Sequence, residues 1–131
     1  MQHKIRSIIF VLLFSSCSKE EVKFDNIKDL LSGHKWYLEY SIQDSITQSY
    51  VGATTYYIHF FKNDSTSDSD GIKGIYLIQQ LDQHILLQVT GETINHTPIQ
   101  YQYQINEITE GHLRLTHQEQ NRSIIKIFST R

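Results

Sequence analysis

The sequence predicts an all-β protein, an antiparallel sandwich or barrel of about seven or eight strands entered through a short helical turn. Three observations carry that expectation. From His34 onward, apolar residues recur at every second position, the period of a half-buried strand. The aromatic fraction is 11%, almost all Tyr and Phe, which fit a pleated surface. Strand-like segments follow one another at short spacing without helical segments between them, the pattern of a sandwich or barrel.

The length of 131 residues suits one domain, with 39% hydrophobic and 20% charged residues as in a folded globular chain. One Pro and six Gly leave most turns to Asn, Asp, Ser and Thr.

Along the chain, the first segment reads as a targeting signal. Lys4 and Arg6 precede the uncharged run Ile8-Ile9-Phe10-Val11-Leu12-Leu13-Phe14, and Ser15-Ser16-Cys17 follows. A basic start, a short apolar stretch and small residues before a cut site make a secretory signal, assigned to residues 1–16. Seven residues span about 10 Å as a helix against a hydrocarbon core of about 30 Å, too short for a permanent membrane span. Leu13-Phe14-Ser15-Ser16-Cys17 resembles the lipobox of bacterial lipoproteins, in the relaxed form of Bacteroidetes-type bacteria. The resemblance implies that acyl chains such as palmitate are joined to Cys17. Each buried methylene contributes about 0.8 kcal/mol, so two or more chains anchor stably. The protein is then expected in the cell envelope, lipid-anchored to the outer membrane and periplasmic or surface-exposed. Residues 17–25 are polar and read as a tether. Cleavage would reduce twelve Lys and Arg to ten against fourteen Asp and Glu, a net charge of −4. With no basic stripe, a nucleic-acid partner is not expected.

The barrel domain is assigned to residues 26–131. Asn26 to Gly33 reads as a helical turn, capped by Asn26 and stopped by Gly33, with Ile27, Leu30 and Leu31 on one apolar edge. Trp36, Leu38, Tyr40 and Ile42 share one face of the first strand. Further strands are expected at 54–62, 72–80, 84–90, near 99–108, from 112 to 117 and from 123 to 129. In the strand near 99–108, Tyr101, Tyr103 and Ile105 alternate with Gln100, Gln102 and Gln104. The polar string from Asn63 to Gly71 is expected to be an exposed loop.

Leu30-Leu31-Ser32-Gly33-His34-Lys35-Trp36-Tyr37-Leu38 resembles the opening of lipocalin-like domains, a Gly followed shortly by Trp at the start of the first strand. Phe60 to Thr66 is similar to their strand-turn signature, Tyr103-Gln104-Ile105 with Leu113-Arg114-Leu115 to their paired late strands, and Arg131 to a terminal basic residue. The resemblance spans roughly residues 28–131 and implies a small antiparallel up-and-down β-barrel (lipocalin-like) whose Trp plugs the closed end, so Gly33 and Trp36 are assigned structural roles at the base. It implies no particular ligand, because fold does not fix function.

Catalytic chemistry is not expected. No Gly-x-Ser-x-Gly elbow is present, and acylation would consume the single cysteine. The seven histidines show no metal-ligand spacing, and His112 and His117 fall on opposite faces of a strand, so surface or edge positions and no metal or cofactor are expected. The Asp64–Gly71 string has oxygen ligands for calcium but lacks the terminal Glu of an EF-hand, so a solvated turn is expected. Tyr56, Tyr76, Tyr101 and Tyr103 are candidates to line a cavity.

Two functions fit. One is a non-enzymatic accessory or protein-interaction role for a filled barrel; the other is binding of a small hydrophobic or amphipathic ligand inside it. A mature chain of 115 residues has little interior to spare, which favours the first. An apolar cavity of roughly 300 Å³ or more would favour the second. For the anchor, Cys17→Ala should move the protein from the membrane fraction to the soluble fraction; unchanged partitioning refutes lipidation.

Overall fold

Residues 24–53 and 55–131 are described by the computed structural model. The leader assigned to residues 1–16, Cys17 and all but the last residues of the tether lie outside them.

The described residues form one helix, α1 (Phe24–Leu31), and nine strands: β1 (Lys35–Gln43), β2 (Ile46–Ser49), β3 (Tyr57–Phe60), β4 (Ser65–Asp68), β5 (Lys73–Leu81), β6 (His84–Glu92), β7 (Pro98–Ile108), β8 (His112–Glu119) and β9 (Arg122–Ser129). The helix begins two residues earlier than the sequence suggests, so Asn26 lies within its first turn instead of capping it. Two strands were not visible in the sequence. β2 forms the return arm of a hairpin with β1 through the Asp44-Ser45 turn, and all four of its residues are exposed. β4 occupies the middle of the polar string expected to be an exposed loop. Thr66 and Asp68 turn inwards and are buried, while Ser65 and Ser67 face the other way.

Every neighbouring pair is antiparallel. β9 pairs with β1 from Tyr37↔Ser129 to Gln43↔Ile124, closing an eight-stranded up-and-down barrel with β2 as an extra arm. Tight turns take the residues that the low Gly content requires. Asp44 and Ser45, Asp82, and Gln120 and Asn121 all adopt positive φ, which matches the twist of antiparallel hairpins.

Inward positions follow the period of two except at two bulges, between Leu38 and Tyr40 on β1 and between Ile105 and Glu107 on β7. The first bulge separates residues expected on one face: Trp36 and Leu38 point inwards, whereas Tyr40 and Ile42 pair with the outward Ile127 and Ile125 and Ser41 takes the inward side. Leu113 and Leu115 on β8, Leu87 and Val89 on β6 and Phe60 on β3 are essentially fully buried. α1 closes one end. Ile27 and Leu31 insert beneath the strands, and the Trp36 indole N–H donates to the Leu31 carbonyl at 2.8 Å, satisfying one of the acceptors a helix end leaves open. Gly33 follows at φ 88°, where a left-handed residue ends the helix, and its N–H donates to Phe60 O at 3.1 Å. Helix, Trp36 and Phe60 thus form one base.

Gly74 on β5 pairs with Gly91 on β6. A Cβ on Gly74 would stand 2.2 Å from the Thr90 carbonyl oxygen and 2.8 Å from the Gly91 Cα, both backbone atoms that cannot swing aside. Gly74→Ala should therefore destabilise by about 1–3 kcal/mol in equilibrium urea unfolding. Gly111→Ala, whose Cβ would meet only Thr130 Oγ1 at 3.6 Å, should stay within about 0.5 kcal/mol.

Candidate functional site

The end of the barrel opposite α1 carries different side chains on the same inward faces. On β8, inward Leu113 and Leu115 give way to His117. On β9, Lys126 lies between the inward residues Ile124 and Phe128, and register sets it opposite Leu115 on one side and Ser41 on the other. On β4, Asp68 is the inward residue next to the mouth. A cleft of about 580 Å³ opens here, walled by Leu38, Tyr56, Asp68, Tyr103, His117 and Lys126, with Tyr50, Asp70, Tyr101 and Glu119 towards the rim.

The cleft continues into the wall. β7 and β8 pair only from Gln104↔Thr116 towards the base, so Pro98–Tyr103 bond β6 on one side and leave the other side open. An adjoining cleft of about 390 Å³ lies at this seam and shares Tyr101, Tyr103 and His117 with the first.

Asp68 is fully engaged. Its Oδ1 accepts the N–H groups of Asp70 at 3.0 Å and Ile72 at 2.9 Å, and its Oδ2 accepts the Tyr56 hydroxyl at 2.9 Å. These three donors offset the cost of burying a carboxylate. Burial, reinforced by the neighbouring Asp68 charge, raises the Tyr56 pKa, so this phenol stays a donor. Burial likewise raises that of Tyr103.

The opposite wall is less satisfied: among the described residues, His117 Nε2 is buried without a hydrogen-bond partner, as is Thr55 Oγ1 next to Tyr56. The His117 ring tilts against Tyr103 with centroids 5.3 Å apart. Lys126 makes no ion pair among the described residues. Its pKa is lowered, chiefly by burial, with Glu119 acting in the opposite direction. The His117 pKa is lowered chiefly by burial, then by the Lys126 charge, again against Glu119.

Of the tyrosines singled out from the sequence, Tyr56, Tyr101 and Tyr103 meet at this cleft. Tyr76 does not. It packs edge-to-face on Phe60 at 5.1 Å, and its hydroxyl donates to the Phe61 carbonyl at 2.6 Å, in the core towards the base. The expectation of surface or edge histidines fails at His117, which is drawn inwards. His112 takes the outward face as expected, its Nε2 3.7 Å from Glu107. Among the described residues, no group of three His, Asp or Glu side chains converges as a metal site. Sequence reading missed Asp68, His117 and Lys126. A signal for Lys126 was present, since a period of two places it on the same face as Ile124 and Phe128.

No family model, curated protein or solved structure matches this chain.

The lowered His117 pKa has a sign that can be measured. Below the ordinary imidazole value of about 6.5, the unfolded chain takes up a proton that the folded chain resists, so folding stability should fall as pH drops through that value. His59 contributes in the same sense, its pKa being lowered by burial and then by Lys35 and His34. Urea unfolding across about pH 7 to 5 should show the decline, and His117→Gln should reduce its slope. An unchanged slope refutes the assignment.

Proposed function

We propose that this protein is a lipid-tethered envelope lipoprotein whose lipocalin-like barrel binds a small amphipathic molecule at its open end. The observation that supports ligand binding most is the cleft of about 580 Å³ beside the unpartnered polar atoms of His117 and Thr55. Its volume lies within the range of about 300–1,000 Å³ usual for small-molecule sites. Its walls mix aromatic rings with charged and polar groups, which suits a molecule with a ring or chain and a polar head better than a wholly apolar one. An eight-stranded barrel has room for one such ligand. The tether rests on the leader and Cys17, and binding rather than catalysis is the role proposed for the cleft.

The accessory, protein-interaction reading has its own support. Ile75, Leu77 and Leu81 lie on the outer face of β5 at 64%, 52% and 61% exposure, an apolar stripe on which a protein partner could close. The mixed and partly unsatisfied interior of the mouth puts the ligand reading first.

Titrating the isotopically labelled full chain with 4-phenylbutanol, a neutral amphipathic probe, should shift the amide resonances of Tyr56, Tyr103 and His117 while leaving Leu77 unmoved. Shifts confined to the β5 face would favour the protein-contact reading, and no saturable shift would refute the cleft.

A further inference from the structure

We infer that the ligand of the open-end cleft carries a carboxylate, whose oxygens accept hydrogen bonds from Lys126 Nζ and His117 Nε2. This rests on the ligand-binding reading above and names the chemical class that it leaves open.

Lys126 is held inwards by its pairing with Leu115 and Ser41, and no rotation of the strand can release it without turning Ile124 and Phe128 out of the barrel. A half-buried ammonium aimed into a cleft, without a counter-ion among the described residues, favours an anion there.

The groups around Lys126 do not supply that anion. From β4, Asp68 already holds three donors. Asp70, in the loop that follows, and Glu119, at the end of β8, are exposed rim residues, and neither pairs with Lys126. Leu38 and Ser41 of β1 bring no charge, and Tyr56 and Tyr103 remain neutral phenols. His117 presents a ring nitrogen that can donate to an acid and has no partner among the described residues. Thr55 Oγ1 adds a hydroxyl within the same cleft.

Tyr56, Tyr101 and Tyr103 offer faces to the rest of the molecule. A neutral head would leave Lys126 uncompensated, and an amine would add a like charge beside it. The rim carboxylates cannot replace the acid, because they are solvated and share no hydrogen bond with Lys126.

Calorimetric titration of the full chain at neutral pH with 4-phenylbutyrate, 4-phenylbutanol and 4-phenylbutylamine separates the possibilities. The acid should bind at least about tenfold more tightly than the alcohol, a difference of about 1.4 kcal/mol, with the amine weakest. Lys126→Met should reduce acid binding to the level of the alcohol and leave the alcohol unchanged. Its thermal midpoint should rise, because an uncompensated charge has left the interior. Acid affinity in the wild type should weaken as pH rises through the lowered Lys126 pKa. Equal binding of acid and alcohol, tightest binding of the amine, or acid binding that survives Lys126→Met overturns the carboxylate assignment while leaving the cleft as a ligand site. Binding of none of the three removes the cleft reading, and the assignment with it.

Discussion

A closed eight-stranded sheet encloses an interior just wide enough for its own side chains. Every inward position must therefore be filled by an apolar group, partnered if polar, or left to face solvent or a ligand. That constraint organises the molecule. At the base it is met by apolar filling: α1 lies across the end, Ile27 and Leu31 enter beneath the strands, and the Trp36 indole binds the last carbonyl of the helix at 2.8 Å. At the mouth no element of the described residues covers the strands, and the inward residues change from Leu and Phe to Asp68, His117 and Lys126.

The two walls of the mouth meet the constraint differently. On the β3–β4 side, a carboxylate is enclosed by two backbone N–H groups and a phenol, a self-contained polar cluster that is part of the fold. On the β8–β9 side, among the described residues, a buried imidazole nitrogen has no partner and a half-buried amine has no counter-ion. Unsatisfied buried polar groups are uncommon because each costs free energy. The imidazole nitrogen, with the amine on the same cleft, marks the wall where a second molecule would bring the largest gain. The seam between β7 and β8 gives that wall a second approach from the side.

Closure also explains why small residues matter here. Gly74 and Gly91 face each other with no room for a Cβ, which lets β5 and β6 approach closely beside the open end. The paired positive-φ turns at Asp44-Ser45 and Gln120-Asn121 impose the twist that carries β1 and β9 round to each other. The ends of the domain thus meet in one ladder, from Tyr37↔Ser129 to Gln43↔Ile124.

Much of this was legible in the sequence. The alternation around Trp36, around Tyr103 and around Leu113 determined the β class and most inward positions of three strands, and the short spacings a sandwich or barrel; the bulge after Leu38, which turns Tyr40 and Ile42 outwards, left no mark in that alternation. Gly33 after an apolar helical edge marked the entry helix. Period alone could not decide the rest. β4 was hidden because Ser, Thr and Asp favour turns locally, and only pairing with β3 and β5 makes Ser65–Asp68 a strand. His117 and Lys126 share the period-two faces of Leu113 and Leu115 and of Ile124 and Phe128, but titratable side chains are normally expelled from an interior, which masks that signal. Pairing with strands far along the chain holds both of them inwards. The sequence therefore determined what each strand could bury, and the tertiary structure decided which end of the barrel would be left unfilled.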